Sequence, residues 1–389
     1  MNDISPRDYT AAETSPLEAE AGGVLTIDLG ALAANWRSLQ DRAAPAECAA
    51  VVKADGYGLG LAPVVRALTC AGCRTFFVAD LSEAVTAREA CGDAAIYILN
   101  GLLPGTATTY AGLALRPILG SPEEIVEWAA FCRDAGARLP AAIHLDTGIN
   151  RLGLTPAQAA EIAASPLLAA FEPALVMSHF VSSEEPENPL NARQVARFGA
   201  VRQLFPDVPA SLCNSSGIFL PERPHFDLVR PGYALYGGNP IPGRPNPMAA
   251  VIRLEGRILQ VRTAEDGETV GYNAQWTARG RRRLAVVSVG YADGYPRAAS
   301  ATDLKHNGEA PFGEAIVAGR RCPFAGRVSM DMIVLDVTDA PEDAAHRGAL
   351  VTLIGDDLTL DEVGRRAGTI GYEVLTSLGR RYARRYMGG

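Results

Sequence analysis

The chain has 389 residues, 48% of them hydrophobic and 21% charged, with a formal net charge of −8. That length is more than one ordinary domain needs, and it fits two domains with a substantial core. The acidic balance excludes nucleic acid as the main partner, and no apolar run is long enough to make a membrane span.

The first twenty-odd residues are acidic, alanine-rich and polar, with neither a basic start nor an apolar signal core. They read as a disordered tail, residues 1–22, of a cytoplasmic protein. Order begins with a strand at Val24–Leu29 and a helical pattern from Ala31 to about Arg42. Next comes the apolar run Cys48-Ala49-Ala50-Val51-Val52, a short buried strand that ends directly on Lys53. Gly56, Gly58 and Gly60 follow at alternate positions with Tyr57 among them, and Leu61, Val64, Val65 and Leu68 then recur at helical spacing. The order is strand, lysine, glycine turn, helix. A lysine at the end of a buried strand loses part of its preference for the ammonium form and becomes a nucleophile towards an aldehyde. The plainer reading is a surface lysine beside an ordinary turn. A Walker loop is excluded, because there the lysine follows the glycines and precedes Ser or Thr.

Further strands are expected at Thr75–Ala79, Ile96–Leu99, Leu115–Leu119, Ala141–Asp146, Ala174–Ser178, Ala210–Cys213 and Phe226–Arg230, with helices between them. Ser121-Pro122 and Thr155-Pro156 mark two helix starts, with serine at the cap of the first and proline in its first turn. This alternation over roughly 225 residues predicts an α/β domain, residues 23–250, and a (β/α)8 barrel fits it best. Periodicity alone leaves a doubly wound sheet open as the alternative. On a barrel, Lys53, the His144–Arg151 segment, His179, Asn214-Ser215 and Arg230 all fall at or just after the C-terminal ends of strands. That is the rim where barrel active sites are built.

A proline- and glycine-rich joint, Gly237–Pro247, leads into residues 251–389, where short alternating runs predict a mostly β domain closed by helical segments after Leu360 and Glu373. Turns are expected at Glu265-Asp266-Gly267, Asn307-Gly308 and Gly355-Asp356-Asp357. The basic run Arg380–Tyr386 reads as a terminal helix with a solvated basic face. Seven scattered cysteines, an odd count, fit reduced thiols better than a disulfide framework. The lone Cys70-Ala71-Gly72-Cys73 pair reads as two half-buried residues at a helix end, and no metal site is expected.

The string from Val51 to Gly60 resembles the lysine segment of alanine racemases, enzymes dependent on pyridoxal phosphate. Asp227-Leu228-Val229-Arg230-Pro231-Gly232-Tyr233 and Asp146-Thr147-Gly148-Ile149-Asn150-Arg151-Leu152-Gly153 resemble two more of that family's segments. So do Val270-Gly271-Tyr272-Asn273, Gly290-Tyr291-Ala292-Asp293-Gly294 and Gly326-Arg327-Val328-Ser329-Met330-Asp331, in family order along the chain. The resemblance implies pyridoxal 5'-phosphate held covalently on Lys53, with Arg230 facing its pyridine nitrogen. Guanidinium only donates, so that nitrogen must accept and the ring becomes a weaker electron sink, which favours racemisation over transamination. Tyr57, Ser215, Gly232, Tyr233 and Tyr372 would cup the phosphate, Asn214 would adjoin it, and His179 would lie beside the ring. Arg151 and the Met330 amide would meet the substrate carboxylate, and Tyr291 would narrow the entrance together with Tyr372. Lys53 and Tyr272 would exchange the Cα proton of alanine on opposite faces. Free tyrosine has a pKa of about 10, so Tyr272 needs a neighbouring positive charge such as Arg151.

The family also implies a head-to-tail homodimer in which each site borrows its tyrosine from the partner. Two departures stand out. Ile149 replaces a usual methionine, and His144 occupies a position that is often a carbamylated lysine anchoring the arginine. Broader-specificity amino-acid racemases, a related-fold decarboxylase and a non-catalytic pyridoxal-phosphate carrier are the rival readings. Supply of D-alanine for peptidoglycan and breakdown of alanine are both compatible with the sequence.

Overall fold

The computed structural model describes residues 18–303 and 312–388. The Asn307-Gly308 turn and residues 1–17 of the expected tail lie outside these. Two compact units emerge, one spanning Asp28–Val251 and one joining residues up to Ile27 with Ile252–Met387.

The first unit is the barrel. Ala50–Val51, Thr75–Val78, Ala95–Ile98, Arg116–Leu119, Pro140–His144, Glu172–Met177 and Ala210–Ser211 pair in that order, all in parallel. The eighth strand, Leu228–Val229, pairs in parallel with Glu47–Cys48, the start of the segment that runs on into Ala50–Val51. Backbone bonds from Asp227 N to Ala210 O (3.0 Å) and Arg230 N to Cys213 O (2.9 Å) close the ring on its other side. Most of these strands are apolar throughout, as strands covered on both faces must be. Intervening helices carry the expected signals. Ser121 and Glu124 form a reciprocal cap on Pro122–Asp134, and Thr155 and Gln158 do the same on Pro156–Ala163.

The second unit is built on one long strand, Ile252–Ala264, bent by two register shifts. Its first half pairs antiparallel with Gly23–Asp28 on one edge and Leu350–Ile354 on the other, and its second half pairs with Arg282–Val287. Two expectations are corrected here. The strand at residue 24 is not the first barrel strand, because Val24, Leu25 and Ile27 are buried in the β-rich unit's sheet, so the boundary moves from residue 23 to Asp28. The basic run near the C-terminus is not a helix. Ala383–Met387 is an edge strand beside Gly23–Asp28, and its charged residues suit an edge that must not recruit another chain. Residues 18–22 of the expected tail are also placed. Arg257 donates to the carbonyls of Glu18 (2.9 Å) and Ala21 (3.2 Å), and Glu18 pairs with Arg385.

Candidate active site

Lys53 stands directly after the strand Ala50–Val51, and the chain then makes a left-handed turn. Ala54, Asp55, Gly56 and Tyr57 all have φ between 54° and 62°, and Gly58 continues at 79°. Glycine adopts this backbone freely, whereas Ala54, Asp55 and Tyr57 each do so at a cost of about 1–2 kcal/mol. The surroundings hold the turn in place. Gly56 N donates to Val52 O (2.9 Å), Gly58 N to Ala54 O (2.7 Å) and Gly60 N to Asp55 O (2.8 Å). The Asp55 carboxylate accepts from Leu61 N (2.8 Å), tying the turn to the helix Leu61–Ala71. Burial lowers the Lys53 pKa, the Arg151 charge lowers it further, and Glu83 opposes both. These shifts enrich the free amine, as a nucleophile requires.

Tyr57 leaves the turn as a buried side chain stacked on Tyr236, with ring centroids 4.4 Å apart. Its hydroxyl lies where a Cβ on residue 232 would be, so only glycine fits there. Ser215 Oγ accepts from the amides of Gly232 (3.1 Å) and Ala234 (3.1 Å), and the Asn214 carboxamide oxygen accepts from Gly217 N (2.9 Å) and Ser183 Oγ (2.8 Å). The structure thus brings Tyr57 and Ser215 together at Gly232, with Asn214 and Tyr233 adjoining them in sequence. For Asn214 the structure shows a turn-bracing role.

Arg230 is 3% exposed. One arm donates to the Ser178 carbonyl (2.6 Å) and another to Ser211 Oγ, while the guanidinium carbon sits 5.8 Å from the centre of the Phe77 ring. These are neutral acceptors and a π face, with no carboxylate ion pair among the described residues. Burial pulls the Arg230 pKa down to about 10, which still leaves it a cation at neutral pH. Phe77 stacks on Tyr97 at 5.0 Å, and Arg116 lies 5.3 Å over Tyr97 and donates to its hydroxyl at 2.8 Å. Ser211, Ser178 and Phe77 are supports that the sequence reading did not single out. Nothing in a lone strand serine or phenylalanine distinguishes support of an arginine from ordinary core.

His179 and His144 are held neutral. Burial and then Arg230 and Arg151 lower them to about 3 and about 4 respectively. Ser178 Oγ meets Thr147 Oγ1 at 2.7 Å, and Gln194 bridges Thr147 Oγ1 (3.1 Å) to the His179 carbonyl (2.9 Å). The loop bearing Arg151 is shaped by Asp146, whose Oδ1 accepts from the amides of Gly148, Ile149 and Asn150 at 2.9–3.2 Å. Arg151 itself is exposed, and among the described residues His144 Nε2 has no hydrogen-bond partner. His144 thus does not take over the anchoring that the resemblance assigns to this position.

The remaining candidates belong to the β-rich unit. Tyr272, 69% exposed, rides at the tip of the hairpin Thr269–Val270 and Trp276–Thr277, whose Trp276 is buried against Ala264, Ala278, Leu284 and Ala325. Met330 is 54% exposed and Tyr291 39%, and Tyr372 is half-buried in the helix Gly371–Ser377. Of the C-x-x-C pair, Cys70 is exposed and Cys73 buried, and all seven cysteines are free thiols.

Residues 27–240 match the sequence family described as alanine racemase, N-terminal domain, and residues 251–386 match its C-terminal domain. The chain belongs to the alanine racemase family. An alanine racemase of Methylobacterium nodulans is 60% identical over 368 residues, covering 95% of this chain and 97% of that protein. A catabolic alanine racemase of Mesorhizobium japonicum is 45% identical, and the match covers 100% of each chain. Among solved structures, the alanine racemase of Bartonella henselae with covalently bound pyridoxal phosphate superimposes with a TM-score of 0.88 at 38% identity, over 94% of this chain and 100% of that one. The barrel and β-rich architecture is thus that of the alanine racemases. Among the described residues, no helix is long and apolar enough to cross a membrane.

Proposed function

We propose that this chain interconverts L- and D-alanine as a cytoplasmic head-to-tail homodimer, with pyridoxal 5'-phosphate carried on Lys53. The residues present fit that group. Gly232 leaves room for the Tyr57 hydroxyl, Ser215 Oγ accepts from the Gly232 amide, and hydroxyls with backbone amides suffice to hold a dianion. The observation that carries the reading is Arg230, a buried cation on neutral acceptors in the barrel that holds Lys53. When bound, the cofactor supplies a carbonyl for the substrate amine and a ring that delocalises the Cα electron pair.

The protein's own groups do the rest. Arg230 can only donate, so towards a ring nitrogen of the bound cofactor it would offer a hydrogen bond and no base, which would leave that ring a weaker electron sink. Lys53, favoured as the free amine, takes or returns the Cα proton on one face. Tyr272 serves the other face, contributed by the partner protomer, and Arg151 and the Met330 amide orient the carboxylate. Tyr291 and Tyr372 narrow the entrance to small side chains.

The test is solvent-deuterium incorporation at Cα, followed by NMR with L-alanine, L-serine and L-arginine, on the wild type and Tyr272→Phe. Alanine should exchange and racemise far faster than the others, and Tyr272→Phe should lose racemisation by about 10²–10⁴-fold. Comparable rates on serine or arginine would replace alanine with a broader substrate class. A loaded protein that exchanges nothing would make it a carrier.

A further inference from the structure

Three segments of the β-rich unit meet at one buried carboxylate. The Asp293 side chain is 6% exposed. Its Oδ2 accepts from Gly290 N at 2.8 Å, its Oδ1 pairs with Arg381 Nε at 3.0 Å, and its backbone carbonyl accepts from Gly379 N at 2.9 Å. The other arm of Arg381 reaches Asp331 Oδ1 at 2.8 Å. The turn that carries Tyr291 is laid directly on the segment that carries Met330. Tyr291 N donates to Ser329 O (3.0 Å), Ala292 N donates to Met330 O (2.9 Å), and a Cβ on residue 290 would overlap the Met330 carbonyl. Arg381 therefore ties residue 293, two positions after Tyr291, to residue 331, next to Met330, while Gly379 fixes the same turn to the chain leaving the helix that holds Tyr372. Burial raises the Asp293 pKa above the ordinary carboxylate value, the Gly290 amide and then Arg381 oppose that rise, and Asp331 adds to it.

We propose that Asp293 and Arg381 are positioning residues that set substrate size, by locking Tyr291 and Met330 into one mutual arrangement. The proposal rests on the reading that the Tyr291 side chain and the Met330 amide face the amino-acid substrate. Neither Asp293 nor Arg381 need touch the substrate. With the bracket broken, the two loops gain independent freedom, and the discrimination between a methyl and a hydroxymethyl side chain weakens.

The experiment uses the holoenzyme and measures kcat and KM for L-alanine and L-serine. Wild type, Arg381→Met, Arg381→Lys, Asp331→Asn and, as a control on the reading beneath, Tyr291→Ala are compared. The Arg381 side chain is 53% exposed and that of Asp331 51%, so neither substitution opens a core cavity, and a urea midpoint on each variant checks that the fold is kept. Arg381→Met should raise the serine-to-alanine ratio of kcat/KM by about fivefold to twentyfold, chiefly through KM, with the cofactor's visible absorption unchanged. Arg381→Lys should restore most of the wild-type ratio, and Asp331→Asn should give a smaller rise. An unmoved ratio in Arg381→Met, beside a Tyr291→Ala that moves it, overturns the bracket alone. Equal loss of kcat on both substrates would make Arg381 merely structural, which also overturns it. An unmoved ratio in both variants removes the substrate-facing reading and the bracket with it.

Discussion

The barrel and the β-rich unit hold their candidate residues in opposite states. In the barrel, Tyr57, Ser215, Arg230 and Tyr233 are all buried, Ser215 accepts from the Gly232 and Ala234 amides and Arg230 donates to the Ser178 carbonyl, with a left-handed turn after Lys53. In the β-rich unit, Tyr272, Tyr291 and Met330 are exposed, although the loops beneath them are closely braced. The difference teaches how the two kinds of task are built. A cofactor cradle must be complete before anything binds, whereas groups that meet a small, exchanging substrate must stand at a surface that a second protomer or the substrate itself can cover.

The sharpest way to break this contrast is to fill the cradle. Gly232→Ala puts a methyl where the Tyr57 hydroxyl lies, and Tyr57 is pinned by its stack on Tyr236. Pyridoxal-phosphate affinity, measured by titration of the apoprotein, should fall by about tenfold to a hundredfold, with about 1–3 kcal/mol lost from stability. A smaller effect separates the units by acid. The folded His144 pKa, about 4, lies below the ordinary 6.5, so the unfolded chain binds the proton more readily between those values. Stability is therefore fullest above pH 6.5 and falls as the pH drops towards 4, by about 2–3 kcal/mol for this residue. Urea midpoints of the apoprotein across that range should fall less steeply in His144→Asn. The described histidine of the β-rich unit, His346, is exposed. The smallest effect sharpens the contrast from the other side. Tyr272→Phe, which is expected to lose racemisation by about 10²–10⁴-fold, should change the unfolding free energy in urea by no more than about 0.5 kcal/mol, because its side chain is mostly in water.

Much of the barrel was legible because each parallel strand is a short apolar run and each following polar residue lands on one rim. Lys53, His179, Asn214 and Arg230 are grouped by that pattern alone. What was not legible has identifiable causes. Val24-Leu25-Thr26-Ile27 is apolar enough for either sheet, and a strand's pattern says that it is buried without saying beside which neighbour. Arg380–Tyr386 carries arginines that suit a helix face as well as a strand edge, and only pairing with Gly23–Asp28 decides between them. Ala54 and Asp55 carry no local signal for positive φ, since their conformation is imposed by the bonds around them. The support of Arg230 by Ser211 and Phe77, and the Asp293–Arg381 bracket, depend on long-range contacts that spacing does not encode.

The sheet pairing of Gly23–Asp28 also has a consequence for how the chain is made. This apolar strand leaves the ribosome ahead of the whole barrel, but its partner Ile252–Ala264 follows only about 225 residues later. At synthesis rates of roughly 5–20 residues per second, it waits on the order of ten to fifty seconds with its hydrogen-bonding edge unmet. Through most of that interval the barrel is itself incomplete, because its closing strand Leu228–Val229 is made only shortly before Ile252. Aggregation or chaperone capture during translation should therefore concentrate on residues 23–28, and the β-rich unit is the last part of the molecule to exist.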